Sequence, residues 1–80
     1  MNDVNGRPEW AQGPEWDGWR KYKNDRICRN LRCDVSRLIV VEKRASDYVL
    51  SGWVFSIPFI SVGRLGQVAD LIAQDRGGWA

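Results

Sequence analysis

The chain has 80 residues, of which 44% are hydrophobic and 28% charged, and its net charge is +2. These values are typical of one small globular domain and exclude a disordered chain. No apolar run approaches 18 residues, and the N-terminal residues lack the basic and apolar stretches of a signal peptide. We therefore expect no membrane-spanning helix and a cytoplasmic location.

The N-terminal segment predicts an irregular arm over residues 1–15, followed by a single domain over residues 16–80. Glycine and proline interrupt the arm at Gly6, Pro8, Gly13 and Pro14. Three of the five tryptophans lie within the first 19 residues, at Trp10, Trp16 and Trp19. Their rings either pack over the core of this chain or remain exposed to bind a partner, and the sequence leaves both alternatives open.

The next segment predicts a hairpin, with a short strand over residues 16–22, a turn over 23–25 and a return strand over 26–32. A weak alternation of Ile27, Arg29 and Leu31 supports the return strand. A single helical turn is the alternative for that second segment.

The middle of the chain predicts two clearer strands. Residues 38–42 form a continuous apolar, β-branched run that predicts a central strand covered on both faces. Residues 48–55 predict the following strand, with Val49, Ser51, Trp53 and Phe55 on one face, and the two aromatic rings in the core. Pro58 has no amide hydrogen, so residues 56–60 predict an edge strand or a crossing loop.

The C-terminal segment predicts an amphipathic helix over about residues 62–75. Apolar residues recur at helical spacing at Leu65, Val68, Ala69 and Ile72. Ser61 or Gly63 is suited to the helix start, and Gly77 with Gly78 to its end.

These elements predict an α+β domain, an antiparallel sheet of three to five strands with one C-terminal amphipathic helix packed on it. One helix covers only part of one sheet face. The remaining apolar surface needs the tryptophan-rich arm, a second subunit or a target to cover it, and a homodimer is one of these alternatives.

The chain lacks the residues of the common catalytic sites. It contains no histidine, which excludes Ser-His-Asp and Cys-His arrangements, and no paired carboxylates stand at a catalytic spacing. Two cysteines, Cys28 and Cys33, do not complete a four-ligand zinc site, and we expect them to be reduced thiols. The sequence thus predicts a non-enzymatic protein with no catalytic residues, no metal and no cofactor.

Charge is strongly segregated along the chain. Residues 20–44 carry nine basic and three acidic side chains, a net of +6, whereas residues 1–19 carry −3 and residues 45–80 carry −1. A basic block rich in arginine predicts an acidic or polyanionic partner. The alternative is that the block is simply the solvated face of the sheet.

Aromatic and basic side chains are interleaved around the start of this block, and they form the candidate partner-binding set. Its members are Trp16, Trp19, Arg20, Lys21, Tyr22, Lys23, Arg26, Arg29 and Arg32. Tryptophan and arginine are enriched in protein-binding hot spots. The same interleaving suits single-stranded nucleic acid, in which bases stack on rings and phosphates pair with cations.

The run from Leu38 to Ala73 resembles the end of the positive-cofactor family of single-strand-binding transcription coactivators. The likeness consists of a strand, a turn, a strand and the segment Phe59-Ile60-Ser61-Val62 leading into a helix, and it covers under half of the chain. It implies a dimer whose curved sheet grips melted DNA, and it maps the basic strand residues of that family onto Lys43 and Arg44.

The chain as a whole resembles the small proteins of phages and other mobile elements, anti-CRISPR inhibitors in particular. The likeness lies in its size, its lack of catalytic residues and its tryptophan content. It implies a steric inhibitor, often dimeric, that occupies a host protein or ribonucleoprotein complex in the host cytoplasm. We expect such an inhibitor, with a CRISPR effector as one possible target. The alternatives are a single-stranded nucleic-acid-binding module and an assembly subunit.

Overall fold

A computed structural model describes residues 6–34 and 36–80. Five antiparallel strands form one sheet in the order β1-β2-β3-β4-β5. The strands are β1 (Arg20–Tyr22), β2 (Arg26–Asn30), β3 (Leu38–Arg44), β4 (Asp47–Ser51) and β5 (Ser56–Ile60). One α-helix, α1 (Val62–Gln74), follows them. The predicted α+β class is confirmed, and the sheet has the largest of the expected strand numbers.

Strand register gives the sheet two unlike faces. Ile27 pairs with Val41, and Val41 pairs with Leu50, so these three side chains point to the same side. All three are fully buried, and helix α1 packs on this side through Leu65 and Ala69. We call this side the packed face and the other side the open face.

The central strand is half covered rather than covered on both faces. Ile39 and Val41 of β3 are fully buried on the packed face, whereas Leu38 and Val40 are only half-buried on the open face. The prediction of two covered faces was wrong because a continuous apolar run shows how apolar a strand is, not how many layers surround it.

The described part of the arm is ordered and lies on the packed face. It forms two 3₁₀ turns, Glu9–Ala11 and Pro14–Trp16, and Ala11 is fully buried. Residues 1–5 of the predicted arm lie outside the described residues. Trp16 ends a 3₁₀ turn, so the first strand begins at Arg20 instead of at residue 16.

The first hairpin turns where the sequence predicts. Asn24 and Asp25 both adopt a left-handed backbone, with φ of 59° and 62°. Two consecutive residues of this kind are typical of tight β-hairpins, and asparagine and aspartate tolerate the conformation well. The predicted return strand is β2, and because it pairs with β1 and β3 it is a strand and not a helical turn.

Strand β4 is shorter than predicted. It ends at Ser51, and the amide of Gly52 donates to the carbonyl of Phe55 at 3.0 Å, which closes a tight turn into β5. The predicted face was therefore wrong for Trp53 and Phe55, because both lie in the turn. Their rings remain half-buried against the core, edge to face with centroids 5.4 Å apart.

Strand β5 is an edge strand, as Pro58 indicates.

Helix α1 begins and ends near the predicted residues. Gly77 and Gly78 follow the helix with φ of 96° and 97°, and the amide of Gly78 donates to the carbonyl of Ala73 at 2.7 Å. Among the described residues, no helix is long and apolar enough to cross a membrane.

Candidate binding surface on the open face

Strand register divides the basic block between the two faces. Arg20 pairs with Cys28, and Tyr22 pairs with Arg26, so Arg20, Tyr22 and Arg26 share the open face. The pairing of β2 with β3 places Glu42 and Arg44 on the same side. The open face thus collects three arginines and one tyrosine from three adjacent strands, together with two acidic residues, Glu42 and the Asp47 that pairs with Arg44.

A small apolar floor lies between these charged groups. Val40, Val49 and Leu38 are half-buried there, and none of them belongs to the core cluster of the packed face. Cys28 is fully buried on this side, and burial raises the pKa of its thiol, an effect that the nearby Arg20 partly opposes. Cys28 is therefore an apolar part of the floor at neutral pH.

The arginines of the open face have partners on the same face. Arg26 and Arg44 both pair with Glu42, at 3.7 Å and 3.3 Å, and Arg20 donates to the side chain of Asn30. Exposed ion pairs of this kind contribute about 0–1 kcal/mol each. An incoming anion can replace them at little cost, so these guanidinium groups are available for binding.

Trp16 and Trp19 are core residues, which removes them from the candidate set. Their exposed fractions are 1% and 4%. Trp16 packs against Trp10 and Tyr48, with centroids 5.5 Å and 5.6 Å away, and Trp19 packs against Trp79 at 5.5 Å. Of the two alternatives for these rings, covering the core is the one observed, because helix α1 alone leaves much of the packed face bare.

A buried arginine holds the tryptophans in place. Arg7 is 4% exposed and donates to the backbone carbonyls of Trp16 and Trp19, the latter at 3.1 Å. Its own carbonyl accepts from the side chain of Gln12 at 2.9 Å. The arm is thus fastened by hydrogen bonds as well as by apolar contact.

Arg29 also has a structural role. It lies on the packed face, where its guanidinium carbon is 4.4 Å from the ring centroid of Trp79 and 5.9 Å from that of Trp19. Trp79 donates from Nε1 to Asp70 of the helix at 2.8 Å. Burial lowers the pKa of Arg29, and Asp70 opposes that shift. Arg29 therefore joins strand, helix and C-terminus, and its guanidinium packs against two rings, whereas that of Arg26 pairs with Glu42.

The remaining predicted residues are spread around the sheet. Lys21 is exposed but belongs to the opposite face from Arg20, because it pairs with Ile27. Lys23 lies in the first turn with its ammonium 5.6 Å from the ring centroid of Tyr22. Arg32 follows β2 at the other end, where its amide donates to Gly78 at 2.9 Å. The structure thus unites Arg20, Tyr22, Arg26 and Lys23, but not Lys21, Arg29 or Arg32.

Arg44 belongs to this surface but was absent from the candidate set. It is distant from Arg26 in sequence and reaches the same face through the pairing of β2 with β3. Only the resemblance to the positive-cofactor family pointed to it. The alternation within residues 38–44 gives its face, once the packed side of β3 is known.

The two cysteines are both free, with Cys28 buried and Cys33 exposed. Within residues 6–34 and 36–80, no group of three or more histidine, cysteine, aspartate or glutamate side chains is placed to hold a metal ion.

No protein-family model, curated protein or solved structure matches this chain.

Proposed function

We propose that the protein is a non-enzymatic binding protein that attaches, by the open face of its sheet, to an acidic surface of a larger complex and blocks that complex sterically. One observation carries the proposal. The strand register brings Arg20, Tyr22 and Arg26 together on the side of the sheet where neither helix α1 nor the described part of the arm packs.

The chemistry of this surface suits a protein partner. Its centre is the aliphatic floor of Val40 and Val49, and its rim is arginine and tyrosine, with Glu42 and Asp47 beside Arg44. Protein interfaces combine an apolar centre with a polar rim, and arginine and tyrosine carry much of their binding energy. Guanidinium groups bind carboxylates in a bidentate manner, so an acidic partner surface is the complement.

A single-stranded nucleic acid is the second candidate, and the arginines around Tyr22 are the observation in its favour. Nucleic-acid-binding surfaces of this type usually stack several bases on exposed rings. Among the described residues, the open face offers Tyr22 alone for stacking, because Trp16 and Trp19 are buried. We therefore place the protein partner first.

The class resemblance to phage inhibitors suggests the identity of the complex. A small protein without catalytic residues inhibits by occupying a surface that its target needs. We propose a CRISPR effector as the target and the open face as the surface that makes contact.

The test is a binding and cleavage assay against a panel of purified CRISPR effectors. The wild-type protein is compared with the double variant Arg20→Glu and Arg26→Glu, which reverses two charges on the open face. Lys21→Glu is the matched control, since it reverses a charge of the same strand on the opposite face. Circular dichroism confirms that each variant is folded.

We expect the wild type and the Lys21→Glu variant to bind and inhibit at least one effector, and the double variant to lose both properties. Inhibition by the double variant would contradict the assignment of the surface. Failure of the wild type against every effector would contradict the proposed target. A parallel titration with a labelled single-stranded oligonucleotide, repeated at several salt concentrations, tests the second candidate. Tight binding that weakens steeply with salt would favour nucleic acid.

A further inference from the structure

The edge of the sheet farthest from the arginines carries a second surface with a different chemistry. A groove of about 320 Å³ runs between β5 and α1, and the residues that line it include Asp47, Ile57, Phe59, Ile60, Arg64 and Val68. The apolar side chains of the strand and the helix form its sides. It lies at the β5 edge, whereas the arginines of the open face lie on β1, β2 and β3.

Phe59 projects from this edge into solvent. Its side chain is 82% exposed, the highest value among the large apolar residues of the described chain. Val62, at the start of the helix, is also exposed and extends the apolar surface. An exposed phenylalanine beside an apolar groove is typical of a contact site and not of a solvated edge.

The backbone at Phe59 is strained in a way that maintains this exposure. Its φ is 60°, in the left-handed region that phenylalanine rarely adopts. The cause is a β-bulge in β5. Ile57 pairs with Leu50 and Ile60 pairs with Tyr48, so β5 has one more residue than β4 between these two pairs. Bulges redirect side chains, and strain of this kind persists mainly where a function uses it.

We propose that this surface joins two copies of the chain, with the Phe59 ring of each copy packed into the β5–α1 groove of the other. A two-fold interface requires that projection and groove occur on the same patch, and here they are adjacent. Continuous pairing of edge strands is a poorer alternative, because Pro58 interrupts the row of amide donors along β5.

The charges of the groove are complementary to themselves. Asp47 and Arg64 both line it, and neither forms an ion pair or a side-chain hydrogen bond within residues 6–34 and 36–80. In the proposed two-fold interface, Asp47 of one copy faces Arg64 of the second copy, and the symmetry repeats this contact. A partner of a single charge sign would match only one of them.

The dimer has a consequence for the proposed function without depending on it. The β5 edge is remote from β1, so pairing there leaves Arg20, Tyr22 and Arg26 of both copies accessible, whereas Asp47 in the contact lies beside Arg44. One particle then carries two basic surfaces and can bind two sites of a target at once, which increases avidity. Charge reversal at Arg20 and Arg26 should leave the dimer intact, so the two proposals fail separately.

Sedimentation equilibrium over a wide concentration range tests the proposal. The decisive variant is Phe59→Gly, because glycine accepts the left-handed backbone and should fold at least as well as the wild type. Val54→Ser is the matched control, since Val54 is 78% exposed and lies in the turn before β5, away from the groove. Thermal unfolding shows that each variant is folded.

We expect a dimer for the wild type and for Val54→Ser, and a folded monomer for Phe59→Gly. A monomeric wild type, or a Phe59→Gly variant that dimerises as the wild type does, would overturn the proposal. As a second test, Asp47→Lys and Arg64→Glu should each weaken association by about tenfold, equivalent to about 1.4 kcal/mol. The double variant should recover it, and failure to recover would overturn the two-fold pairing of these charges.

Discussion

The two faces of the sheet use the same types of residue for opposite purposes. On the packed face, Arg29 lies against Trp19 and Trp79 and links the sheet to the C-terminus. On the open face of the same strand, Arg26 forms a surface ion pair with Glu42. The two arginines are three residues apart, so alternation along a strand places them on opposite sides. Residue type alone therefore does not separate a structural arginine from one available for binding.

The largest expected effect comes from removing a ring of the packed face. Trp16→Ala deletes a side chain that is 1% exposed and contacts Trp10, Trp19 and Tyr48. Truncation of a buried tryptophan costs about 3–5 kcal/mol of unfolding free energy. Urea denaturation measures the loss, and Trp16→Phe is a milder variant if the alanine variant is unfolded. A loss below about 1 kcal/mol would place the ring outside the core.

A smaller effect is expected where backbone and arginine meet. Gly18 has a φ of 92°, and a Cβ there would lie 2.7 Å from Cζ of Arg29. Gly18→Ala should therefore destabilise the fold by about 1–3 kcal/mol, through backbone strain and displacement of the guanidinium.

Gly66→Ala is the control for that variant. A Cβ at Gly66 meets no atom within 4 Å, and the residue lies within helix α1. This change should stabilise the protein by about 0.5–1 kcal/mol. Equal effects at the two glycines would contradict the close packing of Arg29 against residue 18.

The next effect depends on pH and concerns Tyr48, which lies on the packed face among the tryptophans. Burial raises the pKa of its phenol above the usual value of 10.0, and Glu15 adds to the shift. The phenol of the unfolded state then loses its proton first as pH rises. The contribution of Tyr48 to the free energy of unfolding is therefore fully present below pH 10 and is lost as pH rises above it. Tyr48→Phe should flatten this decline in urea denaturation at alkaline pH. An unchanged slope would contradict the burial of the hydroxyl.

The sequence predicted the helix, the strands and the turns better than the tertiary contacts between them. Helix α1, the turn at Asn24 and the edge position of β5 follow from periodicity and from the conformational limits of glycine, asparagine and proline. The roles of Trp16 and Trp19 do not follow, because a ring covers the core or binds a partner according to what else lies on the sheet face. That depends on contacts between distant segments.

The candidate site was predicted in part. Arg20, Tyr22 and Arg26 were identified from their types and share one face in the structure. Arg29 was grouped with them because the basic block was taken as a run of sequence instead of two alternating sets. Arg44 was left out of the candidate set because it is distant in sequence from the interleaved aromatic and basic residues. Its place on the surface depends on the register between β2 and β3, which residue composition does not determine.

The most direct test of this account compares Arg29→Gln with Arg26→Gln by urea denaturation at neutral pH. Both changes remove one guanidinium from β2 and leave a side chain of the same kind. We predict that Arg29→Gln lowers the unfolding free energy by about 1–2 kcal/mol, through lost stacking on two rings and lost packing, whereas Arg26→Gln lowers it by less than about 0.5 kcal/mol. Equal losses, or a larger loss at Arg26, would contradict the division of the basic block into a structural face and a binding face.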